Sequence, residues 1–319
     1  MTPRSRRQFI SALSAGGIGG FLSCFSNGPG FVSGTSEAFG TSVSLTIIPP
    51  PEVDPHPLLD LAFAEIERLE AIFSLFEPLS PLRRLNDQGF LNAPPPELIT
   101  VLALSDQIHN LTQGAFDPTV QSLWELYESH FATHPTDEVG PPDEAIAEAR
   151  RRVDWKAVRF DSSEIRFSKP GLKLTLNGIA PGFAADRVAD LLMAKGVEHA
   201  LIDCGEFRAI GDQGNGAPWP VEIRGPEAVG TVGQATLEGN ALATSAGYAT
   251  AFDLEERFHH LFHPSRTSFQ PASRVISVEA PTAGFADALA TAGGVMEWGD
   301  FQTVAKALPG VKVTRFEAD

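Results

Sequence analysis

Cysteine is nearly absent, with two in 319 residues, Cys24 and Cys204. If the first is removed with a leader, no internal disulfide can form, which excludes a disulfide-stapled scaffold. Positive charge is also scarce: 24 Lys and Arg against 40 Asp and Glu give a formal charge of −16. A chain so acidic does not present a nucleic-acid-binding surface. No apolar run reaches the ~20 residues a membrane span needs. What is present is ordinary for a globular chain, with 43% hydrophobic, 9% aromatic and 20% charged residues, enough apolar content for a core.

The N-terminus reads as an export signal. Ser5 to Ile10 (SRRQFI) pairs two arginines ahead of Phe9 and Ile10, and a mild, glycine-rich apolar run follows from Ala12 to Phe25. A basic n-region before a short h-region is a secretory signal, and the twin arginine points to export of a folded protein, hence to the periplasm. Leu22-Ser23-Cys24 loosely resembles a lipoprotein box, but Phe21 and Leu22 fit it poorly, so a lipid anchor at Cys24 is not the expectation. The division expected is residues 1–30 as signal and 31–319 as one domain.

The most organised stretch is Leu172 to Gly211. An apolar run, Leu172–Leu176, reads as a strand that turns through Asn177, Gly178, Pro181 and Gly182 into a helix with Phe183, Val188, Leu191 and Leu192 at helical spacing. Gly196 stops that helix, and a second strand, Ala200–Ile202, follows. The glycine turn delivers backbone to a helix N-terminus, where free N–H groups suit a phosphate. Many such units bind nothing.

Elsewhere, Glu37–Ile48 reads as one strand, Leu58–Phe76 and Glu97–Thr112 as amphipathic helices, and Val158–Phe167 as a hairpin. In Gln113–Tyr127, Asp117-Pro118-Thr119 sets a carboxylate and a hydroxyl at a helix start, as an N-cap or a ligand contact. Ala241–Phe252 reads as a small-residue loop able to approach a ligand closely. Arg257–Thr267 carries three histidines and reads as a strand. His260 then points away from His259 and His263, which favours one functional histidine over a zinc site. In Val275–Met296, Asp287 and Thr291 lie four apart on one helix face. An acid and a hydroxyl suit Mg²⁺. Equally, Asp287 could serve the helix dipole and Thr291 the packing.

Taken in order, these segments resemble the ApbE-type FAD:protein FMN transferases, from about Ala38 to Met296. The resemblance implies an α+β fold. It would be a single T-fold-like domain of mixed sheets packed by helices, with the FAD and Mg²⁺ site between its lobes. It implies transfer of FMN from FAD to a threonine or serine of an exported acceptor protein, with release of AMP, and admits a membrane-associated redox partner. The ADALAT segment is similar to the family's metal motif, implying Asp287 and Thr291 as side-chain ligands and Gly178 as a carbonyl ligand. FSLFEPLSPLRRLN would put Phe76 beside the flavin. AFDPTV would place Ala115, Phe116 and Asp117 in the FAD site, and Phe39 resembles the methionine set against the flavin. In HLFHP, His260 falls on the family's histidine, the implied catalytic residue with Asp287, and Phe262 on an FAD-contacting position. Thr175 and Pro181 occupy FAD-binding positions where the family has an acid and a lysine, and His263 stands where it has an aspartate. Those departures leave two alternatives: a periplasmic FAD carrier, or a Mg²⁺-dependent FAD pyrophosphatase.

Overall fold

The computed structural model describes residues 30–226 and 228–317. The expected signal segment and the boundary at 30 lie outside the described residues. Among the described residues no helix is long and apolar enough to cross a membrane.

Among the described residues, twelve strands and eight α-helices form an α+β domain. The main sheet has seven strands, in the order β1 (Val32–Ala38), β2 (Thr41–Ile48), β6 (His199–Asp203), β7 (Phe207–Ile210), β10 (Ala241–Ala246), β11 (Arg274–Ala280) and β12 (Lys312–Glu317). A three-stranded sheet pairs β3 (Phe90–Asn92), β5 (Glu164–Phe167) and β4 (Val158–Phe160). A ribbon joins β8 (Trp219–Arg224) to β9 (Thr231–Leu237). Within the three sheets the pairing is antiparallel throughout rather than mixed. The helices are α1 (His56–Phe73), α2 (Pro81–Gln88), α3 (Pro96–Leu111), α4 (Gln121–Thr133), α5 (Asp143–Arg151), α6 (Ala180–Ala194), α7 (Ala283–Val295) and α8 (Trp298–Lys306).

At the centre lies α7, AGFADALATAGGV, in which every residue but Phe285 and Thr291 is buried. A helix apolar all round belongs in a core, and its small side chains let neighbours approach closely. A Cβ on Gly293 would stand 2.6 Å from Phe301, and one on Gly294 would stand 2.7 Å from Leu261. Packed beside it, α6 buries Phe183, Ala184, Ala185, Val188, Ala189 and Leu192.

Four readings of the sequence are corrected. Glu37–Ile48 is the end of a hairpin, not one strand: Ala38 pairs with Thr41 around a two-residue turn. Phe39 (φ 53°) and Gly40 (φ 74°) are both left-handed there, the geometry of a type I′ turn that twists with its strands. Leu172–Leu176 belongs to no sheet. The Asn86 side chain takes a neighbouring strand's place, accepting from Leu174 N–H and donating to Leu174 O, both at 2.8 Å. Ala241–Phe252 opens as a sheet strand, β10, and continues as a 3₁₀ turn. Arg257–Thr267 is irregular, joined to its surroundings by a bridge between His259 and Ala251.

Candidate functional site

A reciprocal cap ties α6 to α7. Asp186 of α6 accepts from the N–H groups of Ala283 and Gly284 (2.8 and 2.9 Å), the first two residues of α7. Asp287 of α7 accepts, through Oδ2, from Gly182 N–H in the first turn of α6 (3.3 Å). Each carboxylate meets the positive end of the other helix. The approach requires glycine at 182, because a Cβ there would touch the Ala283 backbone and stand 2.9 Å from Asp287 Cβ. Arg208 of β7 balances Asp186 at 3.2 Å.

The cap has a local consequence. In an unbroken helix Gly182 N–H would bond the carbonyl of Gly178, but here it serves Asp287, and Gly178 O takes no backbone hydrogen bond. Gly178 lies against Thr291, whose Oγ1 would be 2.6 Å from a Cβ at that position. Gly178 therefore lies beside Thr291, one helical turn from Asp287, and among the described residues Gly178 O, Thr291 Oγ1 and Asp287 Oδ1 have no hydrogen-bond partner. Asp287 is 3% exposed. Burial first, and then the neighbouring Asp186 charge, push its carboxyl up to about 8 against the pull of Gly182 N–H. Asp186 is likewise raised by burial.

The other expected residues lie in three further groups. Thr175 N–H donates to Pro118 O (2.8 Å), which brings Thr175 beside Asp117. Asp117 Oδ1 accepts from Thr119 N–H (2.8 Å) and Oγ1 (2.6 Å), so it is an N-cap, and burial raises its pKa. Phe116 O lies 2.9 Å from His109 Nδ1, and Ala115 and Phe116 are buried. Phe39 and Phe76 both attach to the end of α1. Phe39 N–H donates to Glu70 Oε1 (2.8 Å), while Phe76, held by Ser74 Oγ (3.1 Å), is 57% exposed. Left-handed phenylalanine is strained, and strain of this kind concentrates at functional sites. Pro181 stands in the first turn of α6, where a missing N–H costs nothing.

His260 and Phe262 sit against α4, which begins just after Asp117. His260 meets Trp124 at 6.0 Å between ring centres and Phe262 meets Tyr127 at 5.2 Å. Leu261, between them, packs on Gly294 of α7. His260 Nδ1 faces the Thr250 carbonyl at 3.2 Å, so that nitrogen carries the proton and Nε2 the lone pair. Burial, with the adjacent His259, lowers its pKa to about 4. His259 turns elsewhere, to Gln270 O (2.8 Å). No hydrogen bond joins His260 to Asp287.

Sequence reasoning read Gly182 only as a turn residue and missed Asp186 and Arg208. Asp186 had a detectable signal, an acid inside an otherwise apolar helix. Among the described residues no group of three or more His, Cys, Asp or Glu could hold a metal ion, so a cation here would rest on carbonyl and hydroxyl oxygens as well as carboxylate.

Comparison with known proteins covers nearly the whole chain. The FAD:protein FMN transferase of Vibrio cholerae is 29% identical over 286 residues, spanning 86% of this chain and 83% of its own. That of Treponema pallidum is 28% identical over 286 residues, spanning 82% and 77%. The crystal structure of the ApbE protein from Thermotoga maritima superposes with a TM-score of 0.77 at 26% identity, covering 91% of this chain and 97% of that one. The family model for ApbE matches residues 39–314, and with the site's helices, turns and loops all inside that range, the chain belongs to the ApbE family.

Proposed function

We propose that this protein is a FAD:protein FMN transferase that moves FMN to a threonine or serine hydroxyl of an exported acceptor flavoprotein and releases AMP. The reading rests on family membership and on relatives that carry that name. The observation that carries it is the close approach of Gly178 to Thr291, one helical turn from the buried Asp287, with Gly178 O, Thr291 Oγ1 and Asp287 Oδ1 all unpartnered among the described residues.

The donor set fits a hard divalent cation. Magnesium takes oxygen ligands and keeps several waters, and an unpaired buried carboxylate is costly until a cation meets it. Asp287, Thr291 and the Gly178 carbonyl would hold Mg²⁺, which would offset the charge of the FAD pyrophosphate. The acceptor hydroxyl forms a bond to the FMN phosphorus, the bridging P–O bond breaks, and AMP leaves with the bonding pair. His260 Nε2, neutral above about pH 4, takes the hydroxyl proton. Phe39, Phe76 and Phe262 would bracket the flavin ring, and Ala115–Asp117 with Thr175 and Pro181 would line the rest of the FAD path. The twin-arginine segment supports export in folded form to the periplasm. Asp287→Ala should abolish transfer of flavin to acceptor protein at millimolar-range Mg²⁺, and full activity in that variant would sink the proposal.

A further inference from the structure

Phe39 and Phe76, the two phenylalanines assigned to the flavin from the first 80 residues, hang from one face of one helix. Glu70, in the last turn of α1, and Ser74, its C-cap, stand four residues apart, so they share that face. Glu70 Oε1 accepts from Phe39 N–H at 2.8 Å, and Ser74 Oγ accepts from Phe76 N–H at 3.1 Å. Phe73, between them in sequence, meets Phe183 of α6 edge to face at 5.9 Å, which sets this end of α1 against the turn that carries Pro181. Two features here oppose stability. Phe39 holds a left-handed backbone at φ 53°, a conformation rare for a bulky side chain. Glu70 is half-buried, and the charges acting on it, those of Glu77 and Glu67, have its own sign. An acid so placed gains nothing from a cation. Among the described residues its one side-chain hydrogen bond is to the Phe39 turn.

We propose that Glu70 is a positioning residue for the flavin ring: its carboxylate clamps the strained turn at Phe39 and so fixes where the Phe39 ring stands. This rests on the FAD reading of the site, and adds to it a residue that acts through Phe39 rather than on FAD. A two-residue hairpin turn of this geometry is strain-free with Asn-Gly or Gly-Gly. Phenylalanine is held there by two contacts instead. Its N–H is tied to α1 by a charge-assisted hydrogen bond, the stronger kind, and its half-buried ring packs against the two larger core clusters. The bond grips the backbone and leaves the ring itself free of any polar tether, so the ring can present a face to an aromatic ligand.

The test is FAD binding to the full chain without acceptor protein, read by calorimetry, together with KM and kcat for transfer. Glu70→Ala removes the clamp and should weaken FAD binding about tenfold, the worth of one hydrogen bond to a charged group. KM for FAD should rise while kcat holds, and the cooperative urea transition should remain. Glu70→Gln keeps an oxygen for the Phe39 N–H and should recover most of the affinity. Phe39→Asn suits the left-handed position but removes the ring, and should weaken binding by itself. Glu70→Ala added to Phe39→Asn should then cost no further affinity, because the two residues act as one unit. Parental affinity in Glu70→Ala, with weakened binding in Phe39→Asn, would overturn the role of Glu70 alone. A Glu70→Ala loss of equal size in the parent and in Phe39→Asn would mean a general structural role and also overturn it, as would equal losses in Glu70→Gln and Glu70→Ala. Parental affinity in Phe39→Asn, or no FAD binding by the parent chain, would remove the flavin reading of this corner and the clamp with it.

Discussion

Where α6 crosses α7 the contacts are made by Gly178, Gly182, Ala283 and Gly284, and carboxylates meet backbone directly. Around His260 and Phe262 the opposite holds. Trp124, Tyr127, Phe131, Phe252, Phe258 and Phe269 enclose them, ring against ring at 5.1–6.4 Å. The first region fixes atoms by leaving side chains out, so its positions follow the backbone and tolerate no added carbon. The second fixes them by volume, and volume can be redistributed among neighbours. A cation's oxygens need the first kind of accuracy, whereas a histidine and an aromatic contact can be held by the second.

Breaking the crossing should have the largest effect. Gly182→Val drives a branched side chain into the Ala283 backbone and Asp287. We expect a loss of about 3 kcal/mol, at the upper end for overpacking, visible as a lower urea midpoint. Phe258→Leu, in the ring cluster, should cost about half as much.

Next comes His260→Ala, expected to slow transfer about a hundredfold, the low end for loss of a general base, with the fold retained. In the parent, the acid limb of the pH–rate profile should fall near the lowered histidine value of about 4. A limb near 6.5 would place the working base elsewhere.

A smaller effect separates the regions by pH. The folded-state pKa of Asp287 is raised to about 8 by burial, above the ordinary carboxylate value of the unfolded chain. The folded chain therefore keeps this proton after the unfolded one has released it. Metal-free stability is then intact below about pH 4 and declines as pH rises through 8. Asp287→Asn in EDTA should melt above the parent near pH 8, and the gap should close toward pH 5. The smallest effect belongs to Phe76→Ala. Its exposed side chain should contribute less than about 0.5 kcal/mol to stability, yet its loss should raise the KM for FAD.

The helices were legible in the chain because their signals are local. Apolar spacing marks α1, α3 and α6, and Asp287 and Thr291 stand one turn apart. Gly196, left-handed at φ 84°, ends α6 as its sequence suggests. The irregular pieces were not legible. Leu172–Leu176 carries the composition of a strand but is paired by a side chain, Asn86, from a helix 88 residues earlier. The 257–267 segment alternates as a strand does, yet its residues are divided between α7 and the ring cluster. The Phe39 turn is hidden because phenylalanine is a poor residue for it. Asp186 becomes a site residue only through its bonds to the first amides of α7, a pairing that no window of sequence contains.

The most direct test of the account is one gel. The protein, FAD, Mg²⁺ and an extract of exported proteins from the source cell are incubated, denatured and read for flavin fluorescence. The account predicts a fluorescent protein band that requires Mg²⁺, disappears with Asp287→Ala and is accompanied by AMP. Retention of intact FAD by the protein, or release of free FMN with no labelled band, would contradict it.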